Sequence, residues 1–104
     1  MTREQILNRI KNSVTKEDPT AEIFLYGSRA REDFKKSSDW DILILVNNPR
    51  VTNEIEDKFR NPLYDLELDS GEIISVLIYP KNHWNNNLKY APLYKNITLD
   101  GIKL

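Results

Sequence analysis

The chain has 104 residues, with 15 basic and 16 acidic side chains, a single histidine, no cysteine and a formal net charge of −1. A chain of this length buries only about 60–70% of the surface its unfolded form exposes, enough for one core, so residues 1–104 are read as one domain with no second domain to grip a large substrate. Without cysteine there is no disulfide framework, thiolate metal site or cysteine nucleophile, and a charge near zero supplies no global field to draw in nucleic acid.

In chain order, Thr2 and Gln5 form a capping box, and Ile6, Leu7, Ile10 and Val14 recur at helical spacing, which predicts a helix over about residues 3–14. Asp18-Pro19 breaks it. The apolar run Ile23-Phe24-Leu25-Tyr26 is a buried strand that ends at Gly27. Residues 28–38 read as a short helix and a loop, and Trp40 to Val46, the most hydrophobic segment, as the central strand. Asn47-Asn48-Pro49 ends that strand; Asn53 with Glu56 then caps a helix carrying Val51, Ile55 and Phe59, which Pro62 terminates. Tyr64, Leu66 and Leu68 alternate with Asp65, Glu67 and Asp69, the pattern of a strand with one acidic face. Ser70-Gly71 then reads as a two-residue turn into a hairpin partner over Glu72 to Tyr79. Trp84 and Leu88 suggest one or two helical turns, residues 91–99 another helix, and Gly101 its stop. The terminus Met1-Thr2-Arg3-Glu4-Gln5 is polar and no apolar run reaches the length of a membrane span, so a cytoplasmic protein without membrane contact is expected.

Two features carry chemistry. Gly27-Ser28 sits at a strand-to-helix junction, where glycine lets the backbone approach a ligand and the following amides, with the Ser28 hydroxyl, can hold phosphate oxygens. Asp39-Trp40-Asp41 opens the central strand; residues two apart point the same way, so both carboxylates leave one face and Trp40 the other. Two acids about 7 Å apart at the backbone repel unless a cation lies between them, and hard oxygen ligands in that pose favour Mg²⁺. Each motif alone is a common match. Their order is more specific: apolar strand, Gly-Ser, short basic helix, ten intervening residues, then Asp-x-Asp opening a second apolar strand.

That arrangement, Gly27-Ser28-Arg29-Ala30-Arg31 followed by Asp39-Trp40-Asp41-Ile42-Leu43-Ile44, resembles the nucleotidyltransferase superfamily of the DNA polymerase beta type, and more closely its minimal nucleotidyltransferase branch. The C-terminal Pro92-Leu93-Tyr94-Lys95-Asn96-Ile97 with Asp100-Gly101-Ile102 is similar to the end of these small domains. Glu32 stands where relatives usually carry glycine, a departure that could stiffen the turn. The resemblance implies an α/β (α+β) fold: a mixed sheet of about four to five strands with helices packed mainly on one face. It also implies an enzyme that moves a nucleoside monophosphate, commonly AMP from ATP, to a hydroxyl with release of pyrophosphate. Asp39 and Asp41 would then hold Mg²⁺, and Gly27, Ser28, Arg29 and Arg31 would hold the nucleotide phosphates.

Active relatives supply a third carboxylate from a neighbouring strand. Two placements stay open: if the strand Ile73 to Tyr79 lies there, the position is about Ser75 and the acid is absent; if Tyr64 to Leu68 does, Asp65 fits, with Glu67 as substitute. The branch often pairs the transferase with a helical HEPN-domain protein, some pairs acting as toxin and antitoxin, so a HEPN-type acceptor is what the resemblance implies. The rival reading is a catalytically inactive module that keeps nucleotide or partner binding. His83, the only histidine, has no acid or second histidine at a ligand spacing. Lys35 and Lys36 extend the basic cluster.

Overall fold

Residues 1–31 and 33–104 are described by a computed structural model. The first helix, α1 (Arg3–Glu17), starts at the expected capping box: the Thr2 hydroxyl accepts from the Gln5 amide and the Gln5 side chain accepts from the Thr2 amide. Its stripe Ile6, Ile10 and Val14 is buried, one apolar residue per turn. β1 (Glu22–Tyr26) follows, then the four-residue helix α2 (Ser28–Arg31), and then β2 (Trp40–Val46). Glu32, which stands where relatives usually carry glycine, lies outside the described residues.

β2 is the middle of the sheet. The strand order is β3-β2-β1-β4, with β1 antiparallel to β2, β4 (Ile102–Lys103) antiparallel to β1, and β3 (Ile74–Pro80) parallel to β2. Six of the seven residues of β2 are buried, the continuous apolar signature of a strand covered on both faces. Trp40, Ile42, Ile44 and Val46 pack into a core with α1 and α3 (Asn53–Ser70). Leu43 and Leu45 meet Trp84 of α4 (Lys81–Asn87) and Ile97 of α5 (Pro92–Asp100) on the opposite face. The mixed sheet matches expectation, with the two long helices together on one face; the second face is closed by the two short helices that the C-terminal apolar residues announced.

The region after Pro62 differs from the sequence reading. The helix does not stop there: α3 runs for 18 residues from Asn53 to Ser70, capped at its start by the Thr52 hydroxyl rather than by Asn53. Residues 64–68 are therefore helical, and the strand expected there does not exist. Exposure explains why. In a strand Tyr64, Leu66 and Leu68 would share a face, yet Leu66 is 2% exposed while Tyr64 and Leu68 are 59% and 67% exposed. Phe59, Leu63 and Leu66 follow helical spacing across the proline and are all buried. An interior proline costs about 3 kcal/mol, whereas burying each of three large apolar side chains stabilises by about 1.5–3 kcal/mol, so the helix continues. Pro62 itself is exposed. Gly71, at φ 73°, is the left-handed C-cap of α3, its amide bonding to the Glu67 carbonyl, and not the second residue of a hairpin turn. Consequently β3 returns parallel to β2 through a helical crossover, as parallel strands require.

The outer edge of β3 is blunted by α3. Glu67 accepts a hydrogen bond from the Ile74 amide at 2.8 Å, and Arg60 donates to the Val76 carbonyl at 2.9 Å, which occupies backbone groups that would otherwise template pairing with another strand. The helical assignment of residues 64–68 predicts that Leu66→Ala costs about 2–5 kcal/mol and Leu68→Ala no more than about 0.5 kcal/mol. Denaturant unfolding of both variants checks it, since a strand would make the two losses comparable.

Candidate functional site

The site forms where β1 ends and β2 and β3 begin. Because β1 is antiparallel and β3 parallel to β2, the register sets Tyr26 and Ser75 on either side of Asp41. All three alternate onto the α4 and α5 face, as Leu43, Leu77 and Tyr79 do. Asp39, two residues before Asp41, comes to the same side: the Ser75 hydroxyl donates to its Oδ2 at 3.3 Å. Trp40 goes to the other core. Asp41 on the strand and Asp39 just before it thus come to one side, as the sequence spacing implied, with the indole opposite.

Gly27 closes the site from the side of β1. It turns the chain from β1 into α2 at φ 73°, and a Cβ there would collide with the Asp41 carboxylate. Both conformation and space demand glycine. The Gly27 carbonyl accepts from the Ala30 and Arg31 amides, which opens α2 with Ser28 at its head and brings the Gly-Ser turn against the aspartate pair.

Burial and the Asp39 charge push the Asp41 carboxyl above the usual carboxylate value, with Arg31 partly opposing them. Tyr26 is pushed up to about 12 by burial, by Asp41 and by Tyr79, so its hydroxyl stays protonated beside Asp41 at neutral pH. Two like charges on a half-buried sheet edge, with oxygen from Ser75 alongside, are a donor set suited to a hard divalent cation. Asp39 and Asp41 are the residues that would hold it. Among the described residues no group of three or more His, Asp or Glu side chains is disposed to bind a metal.

Where the third acid was sought, the register selects Ser75, the position opposite Asp41. Asp65 was expected on a strand beside the pair; it lies on α3, exposed, in a groove with Arg9, Ser13 and Lys16. Glu67, its substitute, is spent on the β3 edge. Neither stands on the strand next to Asp41, because the strand that would have carried them is helix.

The two arginines of α2 also separate. Successive helical residues are about 100° apart, so positions 29 and 31 point in nearly opposite directions. Arg31 is exposed, its Nε donates to Asp33 at 3.4 Å, and its charge partly offsets the rise in the Asp41 pKa. Arg29, read from the sequence as a phosphate ligand, is 6% exposed; its guanidinium carbon lies over the rings of Phe34 and Trp40, 4.5 and 4.3 Å from their centroids. From there it donates to the Ser38 carbonyl through Nε and Nη2, to the Lys36 carbonyl, and to Glu72. The alternation of the helix held that signal, but which arginine turned inward did not follow from it. His83 is exposed on α4 and bonded to Asn87.

Comparison with known proteins bears on the family and the fold. Residues 7–104 match the family described as nucleotidyltransferase domain. The fold is similar to a chain in the crystal structure of a mutant of the toxin-antitoxin MntA-HpeT, with a TM-score of 0.58 and 17% identity over 100% of this chain and 72% of that one. No protein of curated function matches the sequence significantly.

An acid whose pKa is raised by folding binds its proton more tightly in the native chain, so ionised Asp41 weakens the fold once the pH passes its unfolded value. Asp41→Asn is therefore expected to raise the thermal midpoint of the metal-free protein at about pH 7, and to shift it little near about pH 3, where the carboxyl is protonated. Thermal unfolding at the two pH values checks this, and an equal or lower midpoint at neutral pH contradicts it.

Proposed function

The chain belongs to the nucleotidyltransferase domain family, and on that premise we propose that it is a Mg²⁺-dependent adenylyltransferase that moves AMP from ATP to a hydroxyl of a partner protein. The observation that carries the reading is the convergence of the Gly27-Ser28 turn with Asp39 and Asp41 on one side of the sheet edge. The partner is a helical HEPN-type protein that the transfer restrains as an antitoxin does; the similarity to a chain of a toxin-antitoxin structure supports this part. No described helix is long and apolar enough to cross a membrane, in keeping with a cytoplasmic reaction.

In the transfer, the acceptor oxygen bonds to the α-phosphorus of ATP. The bond from that phosphorus to the oxygen bridging to the β-phosphate breaks, pyrophosphate leaves, and the hydroxyl proton is lost to water. Asp39 and Asp41 would hold the cation, which when bound neutralises phosphate charge and lowers the pKa of a coordinated hydroxyl. The remaining work falls to the chain. Ser28 and the amides beside it hold β- and γ-phosphate oxygens, at a turn that glycine keeps open. Arg31, exposed and opposing the rise in the Asp41 pKa, adds positive charge where the triphosphate enters. Ser75 holds Asp39 through its hydroxyl, and Tyr26 presents a neutral phenol beside Asp41.

Ser75 in the row of Asp41 favours a second reading, a module that binds nucleotide without turning it over, because a serine cannot supply the charge of a third carboxylate. Incubation of the purified protein with α-labelled ATP and Mg²⁺, with and without the product of the adjacent gene, separates the two. Transfer to that product, abolished in Asp39→Ala/Asp41→Ala and reduced about tenfold in Arg31→Ala, supports the enzyme. Label transfer that survives the double substitution overturns the assignment of the pair. Metal-dependent ATP binding without transfer, converted to transfer by Ser75→Asp, establishes the module.

A further inference from the structure

We propose that Glu72 is a positioning residue of this site, locking the phosphate turn and the aspartate pair into one rigid unit through the buried Arg29 guanidinium. The inference rests on the reading of Asp39 and Asp41 as a cation site, but the lock itself is built from contacts that need no ligand.

Arg29 directly follows the Gly27-Ser28 turn, and Ser38, whose carbonyl takes two of its hydrogen bonds at 3.2 and 3.0 Å, directly precedes Asp39. One side chain therefore ties the two halves of the site by the residues next to each. The Lys36 carbonyl, at 3.3 Å, holds the preceding part of the same loop. The guanidinium carbon also lies over the rings of Phe34 and Trp40, contacts that a planar, delocalised cation makes better than an ammonium.

A cation this buried needs a counter-charge, since an unpaired charge in the interior is strongly destabilising. Glu72 supplies it: its Oε2 stands 3.5 Å from Arg29 Nη2, and the carboxylate is the ion-pair partner of Arg29 among the described residues. The same Oε2 accepts from Trp40 Nε1 at 3.2 Å. Glu72 thus grips the residue between the two aspartates and the arginine that holds the peptide before them. It enters from the far side of the sheet, with Trp40, and so touches neither nucleotide nor cation. A further bond from Arg3 of α1 to the Arg29 carbonyl fastens α2 to the long-helix layer.

Glu72→Ala, Glu72→Gln and Arg29→Lys, with the core variant Ile78→Val as a control for lost stability, test the lock by amide hydrogen exchange on the metal-free protein and by Mn²⁺ titration. Glu72→Ala and Arg29→Lys are expected to speed exchange across residues 36–41 by about tenfold or more and to weaken Mn²⁺ binding by about tenfold. Glu72→Gln, which keeps an acceptor for both donors, should fall between, and Ile78→Val should leave Mn²⁺ affinity at the wild-type value. Unchanged exchange in Glu72→Ala overturns the lock. Faster exchange with unaltered Mn²⁺ affinity in folded protein reduces Glu72 to a structural role and overturns the positioning claim. Wild-type protein that takes up no Mn²⁺ refutes the cation site instead, and the exchange rates then decide the lock alone.

Discussion

Double-sided burial of β2 is the constraint on which the rest of the molecule depends. Its alternate residues belong to two different cores, Trp40, Ile42, Ile44 and Val46 to one, Leu43 and Leu45 to the other. A slip of one residue would exchange the two sets and strand an indole on the wrong side. That double commitment fixes the register of β1 and β3 against it, and with the register it fixes which face Asp41 must take. The polar end of the most apolar strand is thus held in place by the burial of the remainder. The two acids stand side by side where the fold has the least freedom to relax away from them.

The electrostatics of the pair run against stability and are tolerated for the same reason. Burial raises the pKa of Asp41 and the Asp39 charge raises it further, so the folded chain holds like charges closer than an unfolded chain would. Gly27 permits this closeness, because a side chain there would occupy the space of the Asp41 carboxylate. On the opposite side of the sheet the charges are balanced rather than opposed: Arg29 lies over two aromatic rings and is paired with Glu72. Strain of one sign at the open face is supported by a satisfied network beneath it, which is the usual division between a site and its scaffold.

The elements the sequence announced correctly are those where local pattern and tertiary demand coincide. The capping box at Thr2, the strand ending at Gly27 and the apolar run from Trp40 to Val46 each have one reading. The misreading begins at Pro62 and propagates, because a proline suggests a stop and the residues after it satisfy period two and period 3.6 at once. Leu66 belongs to both patterns; only the exposure of Tyr64 and Leu68 separates them. Treating residues 64–68 as a strand turned Gly71 from a helix cap into a hairpin turn and kept Asp65 open as a neighbour of the aspartates. The helix removes that placement and leaves the other one, with Ser75 beside Asp41.

By itself the sequence determined the chemistry on offer: a glycine where backbone must approach, a serine after it, and two acids whose spacing in a strand puts them on one face whatever surrounds them. Those are properties of covalent geometry and of the two-residue strand period, which operate locally. Tertiary structure alone decided which residues share the site with them. Whether Arg29 or Arg31 turns inward, whether Glu67 meets a ligand or a strand edge, and whether position 75 stands opposite Asp41 all depend on where distant segments pack, and no local pattern contains that information.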